Sequence, residues 1–484
     1  MNKPTSPTPT TRRDFSKKAS LATAVAASSA FGFQFVPSHV WGANSRIQLG
    51  GIGSGGKGKV DIAECAKVGI QVAALVDIVD TKRLSISGAD QDGKKLKARL
   101  ASMGHTRQAF PDAKFYGDYR EMLHDMGDKI DAVTVSTPDH HHFHAAVLSM
   151  KAGKHVYCQK PLTHGIWEAR TLARVAKETG VKTQMGNQAH ANDHLRRVAE
   201  LLRSGILGKV KEVHAWTNRP IWPQGFSAPP AAAPVPVGID WKQWIGPAPW
   251  VDYSPKIAPF SWRGWWNYGT GALGDMACHI MDMAYWGLEL GSPQTIKAVE
   301  EGGTELSAPI NSSITYDFAD KGIKFHWYDG QKGAKFDAEK WRLIPGEFNR
   351  PGEKILEGVD YKKYGSVIIG EKGKLFFNRF SDTWFVKPSS ALDGFNFPGQ
   401  SIPRARDQNN YAEWLDSIEG KVDHGQSYFG YAGPFTEMVL LGVVAQRNPN
   451  EKLRWDAANL EFKGRPDLKS QIQPAYRDGW KIEV

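Results

Sequence analysis

The residues that most directly declare a chemistry are glycines. Gly53, Gly55 and Gly58 form a G-x-G-x-x-G pattern in "GGIGSGGKGKV", with Ser54 and Gly56 inside it. A short apolar run, "RIQLGGIG", leads into the pattern and a helix-like stretch, "KVDIAECAKVG", leaves it. In that setting the first glycine permits a tight turn, the second lets a pyrophosphate approach the backbone, and the third lets helix and strand pack closely. The helix N-terminus then faces the phosphates. Nineteen residues past Gly58, "IQVAALVD" reads as a second strand ending in Asp77. An acid at that place holds ribose hydroxyls and favours NAD, whereas Lys82 and Arg83 just beyond it leave NADP open.

The elements that must position this loop follow in alternation. "YREMLHDM" reads as a helix, "IDAVTVSTP" as a strand, "HAAVLSMKAG" as a helix and "KHVYCQKP" as a strand end. "WEARTLARVAKETG" is again a helix and "VKTQMGNQ" a strand. Such alternation predicts a doubly wound parallel sheet of the Rossmann type, with ligands at the carboxyl ends of its strands. Ser136-Thr137-Pro138, Gln159-Lys160-Pro161 and Asn187-Gln188 then share one rim. His140 and His144 in "DHHHFHA" have the i, i+4 spacing of a metal pair, but no further ligand set accompanies them, so no metal is assigned. Cys65, Cys158 and Cys278 are odd in number and widely spaced, which argues against a disulfide framework or a structural zinc site.

The run "AGKHVYCQKPLTH" closely resembles the signature of the glucose–fructose oxidoreductase, inositol dehydrogenase and rhizopine-catabolism (Gfo/Idh/MocA) family. A second family landmark, an Asp with a His four residues on, matches Asp275 and His279 in "GALGDMACHIMD". His142, four residues after Pro138, matches in order and spacing. The resemblance implies an N-terminal Rossmann domain and a C-terminal α/β domain with an open, mostly antiparallel sheet that often packs on another subunit. It implies Lys160, His279 and Asp275 as the groups handling the proton when a hydride leaves a sugar carbinol. It also implies cofactor contacts from Gly53, Ser54, Gly55, Gly56, Gly58, Asp77, Thr137, Pro138, His142, Gln159, Lys160 and Gln188. Where that family has Glu-Lys-Pro, this chain has Gln159-Lys160-Pro161. The glutamine keeps the shape and loses the charge. Strands are expected at "INSSITYDFA", "IKFHWYDG", "GSVIIGEKGKLFF" and "DTWFVKP".

The expected domain plan is a signal over residues 1–43, a dinucleotide-binding domain over 44–188 and a substrate-binding and oligomerisation domain over 189–484. The last carries an insertion at about 216–268, rich in Pro and holding eight of the 17 tryptophans. Those indoles either pack on the sheet or form a sugar platform. His190, Arg219, Arg263 and Tyr268 are candidate substrate contacts.

Arg12-Arg13 and Phe15 before the mildly apolar "ASLATAVAASSAFGF" resemble a twin-arginine signal, so export to the periplasm or beyond is expected. The chain has 484 residues and a net charge of +10, of which the first 43 residues carry +4. The rest is spread thinly, with no dense basic block, which argues against a nucleic-acid partner. Past residue 35 no apolar run is long enough for a stable membrane anchor. The expected partners are a sugar or glycoside, the twin-arginine export machinery and a second copy of the chain. Outside the cytoplasm no free NAD pool exists, so the cofactor is expected to be tightly bound and reset in place. Three functions follow. The first is an exported NAD(P)-dependent sugar oxidoreductase. The second is an NAD-dependent glycosidase or 3-keto-sugar enzyme working by oxidation, elimination and re-reduction. The third is a non-catalytic sugar-binding protein on the same scaffold.

Overall fold

The computed structural model describes residues 46–85, 100, 104–378, 380 and 382–484. The expected export signal lies outside the described residues.

Six strands form the first sheet: β1 (Gln48–Ile52), β2 (Gln71–Val76), β3 (Lys114–Tyr116), β4 (Ala132–Val135), β5 (His155–Cys158) and β6 (Thr183–Met185). Their order is β3-β2-β1-β4-β5-β6 and every pairing is parallel. Strands such as "AVTV", wholly apolar apart from one Thr, are buried along their length, as a sheet with both faces covered requires. The crossovers are α1 (Gly56–Lys67), α2 (Tyr119–Met126), α3 (Asp139–Lys151) and α4 (Ile166–Thr179). Asp118 caps α2 by accepting from Arg120 N, and Gly180 in the left-handed region closes α4.

After α5 (Asp193–Arg203) a second sheet begins with β7 (Val210–Thr217), followed by the short helix α6 (Gly271–Ile280). The sheet goes on through β8 (Thr295–Glu301), β9 (Asn311–Phe318), β10 (Ile323–Lys332), β11 (Ser366–Gly370), β12 (Gly373–Phe377), β13 (Trp384–Lys387), β14 (Lys452–Asp456) and β15 (Glu461–Phe462). Their order is β13-β12-β11-β7-β10-β9-β8-β14-β15, and Glu347–Phe348 adds a short tenth strand beside β10. All pairings are antiparallel except β7 with β10. The four strand-like stretches read in the second half of the sequence fall on β9, β10, β11–β12 and β13. Period-2 alternation makes this sheet two-faced. Val213, Ala215, Phe325 and Trp327 face the main core. Trp216, Val367 and Phe376 face a smaller apolar cluster on the opposite side.

Two late helices return to the first sheet. In α7 (Asn410–Ile418), Tyr411, Trp414 and Leu415 join the core around Leu49, Ile62 and Tyr157. α8 (Phe429–Arg447) packs on α4. None of the helices among the described residues is long and apolar enough to cross a membrane.

Candidate active site

The glycine loop joins β1 to α1. Gly53 adopts φ +78°, and its N–H donates to Val76 O at 2.9 Å. A Cβ on Gly58 would lie 1.7 Å from Gly53 O, so only glycine lets α1 start this close to the loop. That backbone cradle fits a dinucleotide pyrophosphate. A Gly58→Ala substitution is therefore expected to lower stability by about 1–3 kcal/mol and to abolish NAD binding. Thermal unfolding and NAD titration read the two effects separately.

Asp77 ends β2 as expected, but its carboxylate is turned onto the loop. Oδ2 accepts from Ser54 N and Gly55 N, both at 3.0 Å, and from Ser54 Oγ at 3.1 Å. Oδ1 accepts from Val79 N at 3.1 Å. Burial pushes this carboxyl up, and the four hydrogen bonds oppose that shift. Asp77 thus ties the glycine loop to β2.

A cavity of about 490 Å³ opens over the carboxyl ends of the strands. Gly53, Gly55, Gly56 and Asp77 line one end. Thr137, Pro138, Gln159 and Gln188 also line it, as do His279 and the linked group Lys160, Asp275 and Arg263. Lys160 Nζ donates to Asp275 O at 2.7 Å and to Asp275 Oδ1 at 3.0 Å. Arg263 reaches the same carboxylate at 3.4 Å and pairs with Asp139 at 3.0 Å. Burial alone would raise the Asp275 carboxyl. The Lys160 and Arg263 cations outweigh it and hold the group well below the usual carboxylate range. Asp275 is therefore ionised throughout the neutral range. The described ion-pair partners of its carboxylate are Lys160 and Arg263. His279 stands one turn further along α6 and also faces the cavity.

His142 does not line the cavity. It is buried, with Nδ1 2.8 Å from Pro161 O and Nε2 2.9 Å from Thr137 O, and it braces two rim segments together. Ser54 and Gly58 shape the loop from behind. Two of the candidate substrate contacts require correction because both side chains are wholly buried away from the cavity. His190 faces Asp282 at 2.8 Å, and Tyr268 packs among Trp244 and Trp265. Arg219 does not line the cavity either. His140 and His144 bring Nε2 to within 2.9 Å of the Trp244 and Trp480 carbonyls, respectively.

Sequence reasoning missed Asp61. This wholly buried carboxylate on α1 accepts from Ser136 Oγ (2.7 Å), Gln159 Nε2 (3.0 Å) and Tyr411 Oη (2.7 Å), and pairs with Lys57 at 2.7 Å. Gln159 is thus a donor to a neighbouring carboxylate, which accounts for its lacking a charge of its own.

The insertion is a strap across the cavity. Val79 bridges Ile239 and Ser85 bridges Val237. Asp240 N donates to Ile78 O at 2.9 Å, and Gln243 Nε2 donates to Asp118 at 2.9 Å. Gln243 and Trp244 then form the cavity wall beside Tyr119, and Trp262 closes it nearer Arg263. Gly246, at φ +53°, passes so near His141 that a Cβ would sit 2.1 Å from the imidazole. The C-terminal segment holds the strap from behind, with Arg477 N donating to Pro247 O at 3.0 Å. Most of the insertion's tryptophans serve packing. Trp241, Trp244 and Trp265 share a core with Phe226 and Tyr253, while Trp244 and Trp262 also reach the cavity.

Comparison with known proteins agrees with this geometry. Residues 52–187 match the family model of an oxidoreductase family with an NAD-binding Rossmann fold, and residues 191–332 match that family's C-terminal alpha/beta domain. The chain belongs to the Gfo/Idh/MocA oxidoreductase family. Among curated members, it is 24% identical over 250 residues to scyllo-inositol 2-dehydrogenase (NADP(+)) IolW of Bacillus subtilis, covering 50% of this chain and 56% of that protein. It is 31% identical over 232 residues to a glycosyl hydrolase family 109 protein of Solibacter usitatus, covering 45% and 48%. The chain thus spans about half the length of these relatives. Among solved folds, the WlbA dehydrogenase of Chromobacterium violaceum, in complex with NADH and UDP-GlcNAcA, superposes with a TM-score of 0.55 at 14% identity, over 86% of this chain and 97% of that one. The protein is thus a Gfo/Idh/MocA member with an NAD-binding Rossmann domain. The glycine cradle and the cavity beyond it fit that cofactor.

Proposed function

We propose that this family member is an exported NAD(P)-dependent oxidoreductase of a sugar or sugar derivative, whose dinucleotide stays bound through the catalytic cycle. One observation carries the retained cofactor: the strap of residues 236–246 is bridged to the segment after β2 and walls the cavity with Gln243 and Trp244. Contacts of this kind would slow the departure of a ligand beneath them. The twin-arginine-like "TRRDF" and the sugar- and inositol-directed names of two relatives support the rest.

The nicotinamide supplies the hydride acceptor when bound. A carbinol hydrogen leaves as hydride only if the hydroxyl proton is also taken up within hydrogen-bond reach. Lys160 Nζ and the His279 imidazole both face the cavity, and one of them receives that proton. Asp275 fixes Lys160 through two oxygens and balances the charge that Nζ carries once protonated. Arg263 shares its own charge between Asp275 and Asp139 and so anchors α6 to the start of α3. The Trp262 ring lies under the Arg263 guanidinium and lines the cavity beside it.

A second reading is the glycosidase. The relative with that name is 31% identical over 232 residues, and a borrowed-and-returned hydride needs the same retained cofactor.

The test is release of nucleotide from protein purified with none added. Denaturation is expected to free about one equivalent of NAD(H) or NADP(H), and Trp244→Ala is expected to shorten nucleotide retention at least tenfold. An empty protein that binds NAD only weakly refutes retention. Sugars and glycosides are then screened for reduction of the bound nicotinamide, the oxidoreductase result, or for aglycone release without net reduction, the glycosidase result.

A further inference from the structure

The second sheet carries a cluster that the cavity does not use. β7 and β10 are its one parallel pair among the described residues, in register with His214 opposite His326. Glu212 lies two residues before His214, so the three side chains share one face of the sheet. That face is opposite the one carrying Val213, Ala215, Phe325 and Trp327 into the main core.

One ligand atom from each of Glu212, His214 and His326 lies within 4.8 Å of the others. The two imidazoles stack with centroids 4.7 Å apart and planes 18° apart. His214 Nε2 is 3.1 Å from Glu212 Oε2. Hydroxyls hold the other edges, with His214 Nδ1 3.1 Å from Tyr328 Oη and His326 Nδ1 3.0 Å from Thr315 Oγ1. A hydrogen-bond partner on the far ring nitrogen fixes ring orientation around metal-binding histidines, and here a hydroxyl takes that place. The set is partly open to solvent, since the Glu212 side chain is 44% exposed while that of His214 is 5% exposed. Two cations face the cluster along the same face, Lys324 and Lys374, and the second is drawn to Glu357 at 2.7 Å.

We propose that Glu212, His214 and His326 form a binding site for a divalent zinc-class ion that clips β7 to β10. Two imidazoles and a carboxylate are the donor types zinc prefers, and a tetrahedral ion takes three protein ligands and a water. The ligand atoms already lie within 4.8 Å of one another, and rotation of the two stacked rings toward Glu212 would bring them to a shared ion at zinc distances of about 2.0–2.2 Å. The ion would cross-link a parallel pair, which is the less stable pairing per residue. The site lies away from the dinucleotide cavity, which none of the three residues lines.

The experiment uses the full chain without a histidine tag, stripped with a chelator and desalted. Co²⁺ is titrated by visible absorption and Zn²⁺ by calorimetry. The expected result is one saturable equivalent, displacement of Co²⁺ by Zn²⁺, and a Zn²⁺-dependent rise in melting temperature. Glu212→Gln, which keeps the side-chain shape, and His326→Ala are each expected to weaken the metal at least about tenfold. Melting of the metal-free variants checks that they fold. Absence of a saturable equivalent overturns the site, as does binding of equal affinity in both folded variants.

Discussion

Lys160→Met is expected to keep the bound dinucleotide and to lose turnover by roughly a hundred- to ten-thousand-fold, the range that a positioned proton acceptor supplies. Stability should change little, because Asp275 keeps Arg263 as a partner and is not left unpaired in a buried setting. The readout is a single-turnover measurement of nicotinamide absorbance, with whichever sugar reduces the wild-type protein. His279→Asn completes the experiment. Removing the proton acceptor removes the titrating limb of the pH profile along with the rate. Removing the other group lowers the rate and leaves the limb in place. A Lys160→Met protein within tenfold of wild type would transfer the role to His279. Acidification provides a separate check on Asp275. Its folded carboxyl titrates below its unfolded one, so its contribution to stability is present above about pH 3.9 and is lost as the pH falls through the folded value.

Gln159→Glu restores the residue type of the family triplet and is expected to damage this protein. Gln159 Nε2 donates to Asp61 Oδ2 at 3.0 Å, and both side chains are buried. A glutamate there sets two carboxylates at that distance, where both cannot ionise cheaply. A cost of about 3 kcal/mol follows from an uncompensated buried charge. The pair can share a proton, which raises a carboxyl pKa in the folded state above the unfolded value. Stability of the variant should therefore fall as pH rises from acid to neutral, the reverse of the usual carboxylate trend. Adding Asp61→Asn removes the repulsion and lets the new amide donate to the carboxylate at position 159. The double variant is expected to be more stable than Gln159→Glu alone, with a coupling of at least about 1 kcal/mol by denaturant unfolding. Strictly additive effects would show that Asp61 and Gln159 do not sense each other.

The local patterns are legible in the amino-acid sequence alone. "GIGSGGKG" between a strand and a helix, Asp77 at the next strand end, and "VYCQKP" at a third all depend on neighbours in the chain, because turns, caps and period-2 alternation are short-range geometry. From these come the parallel sheet and the rim holding Thr137, Lys160 and Gln188, whereas the mainly antiparallel second sheet is implied by the family resemblance. Nothing local marks Asp61 as a partner of Tyr411, places the indole of Trp244 over the cavity, or turns His190 and Tyr268 away from it. His190 and Tyr268, candidate substrate contacts in the sequence, are buried against Asp282 and among Trp244 and Trp265, off the cavity wall. The approach of His214 to His326 depends on β10 pairing parallel to β7 after two intervening strands. Local backbone geometry is written in adjacent residues. Which buried polar groups meet is decided only when distant elements pack and each must find a hydrogen-bond partner out of water.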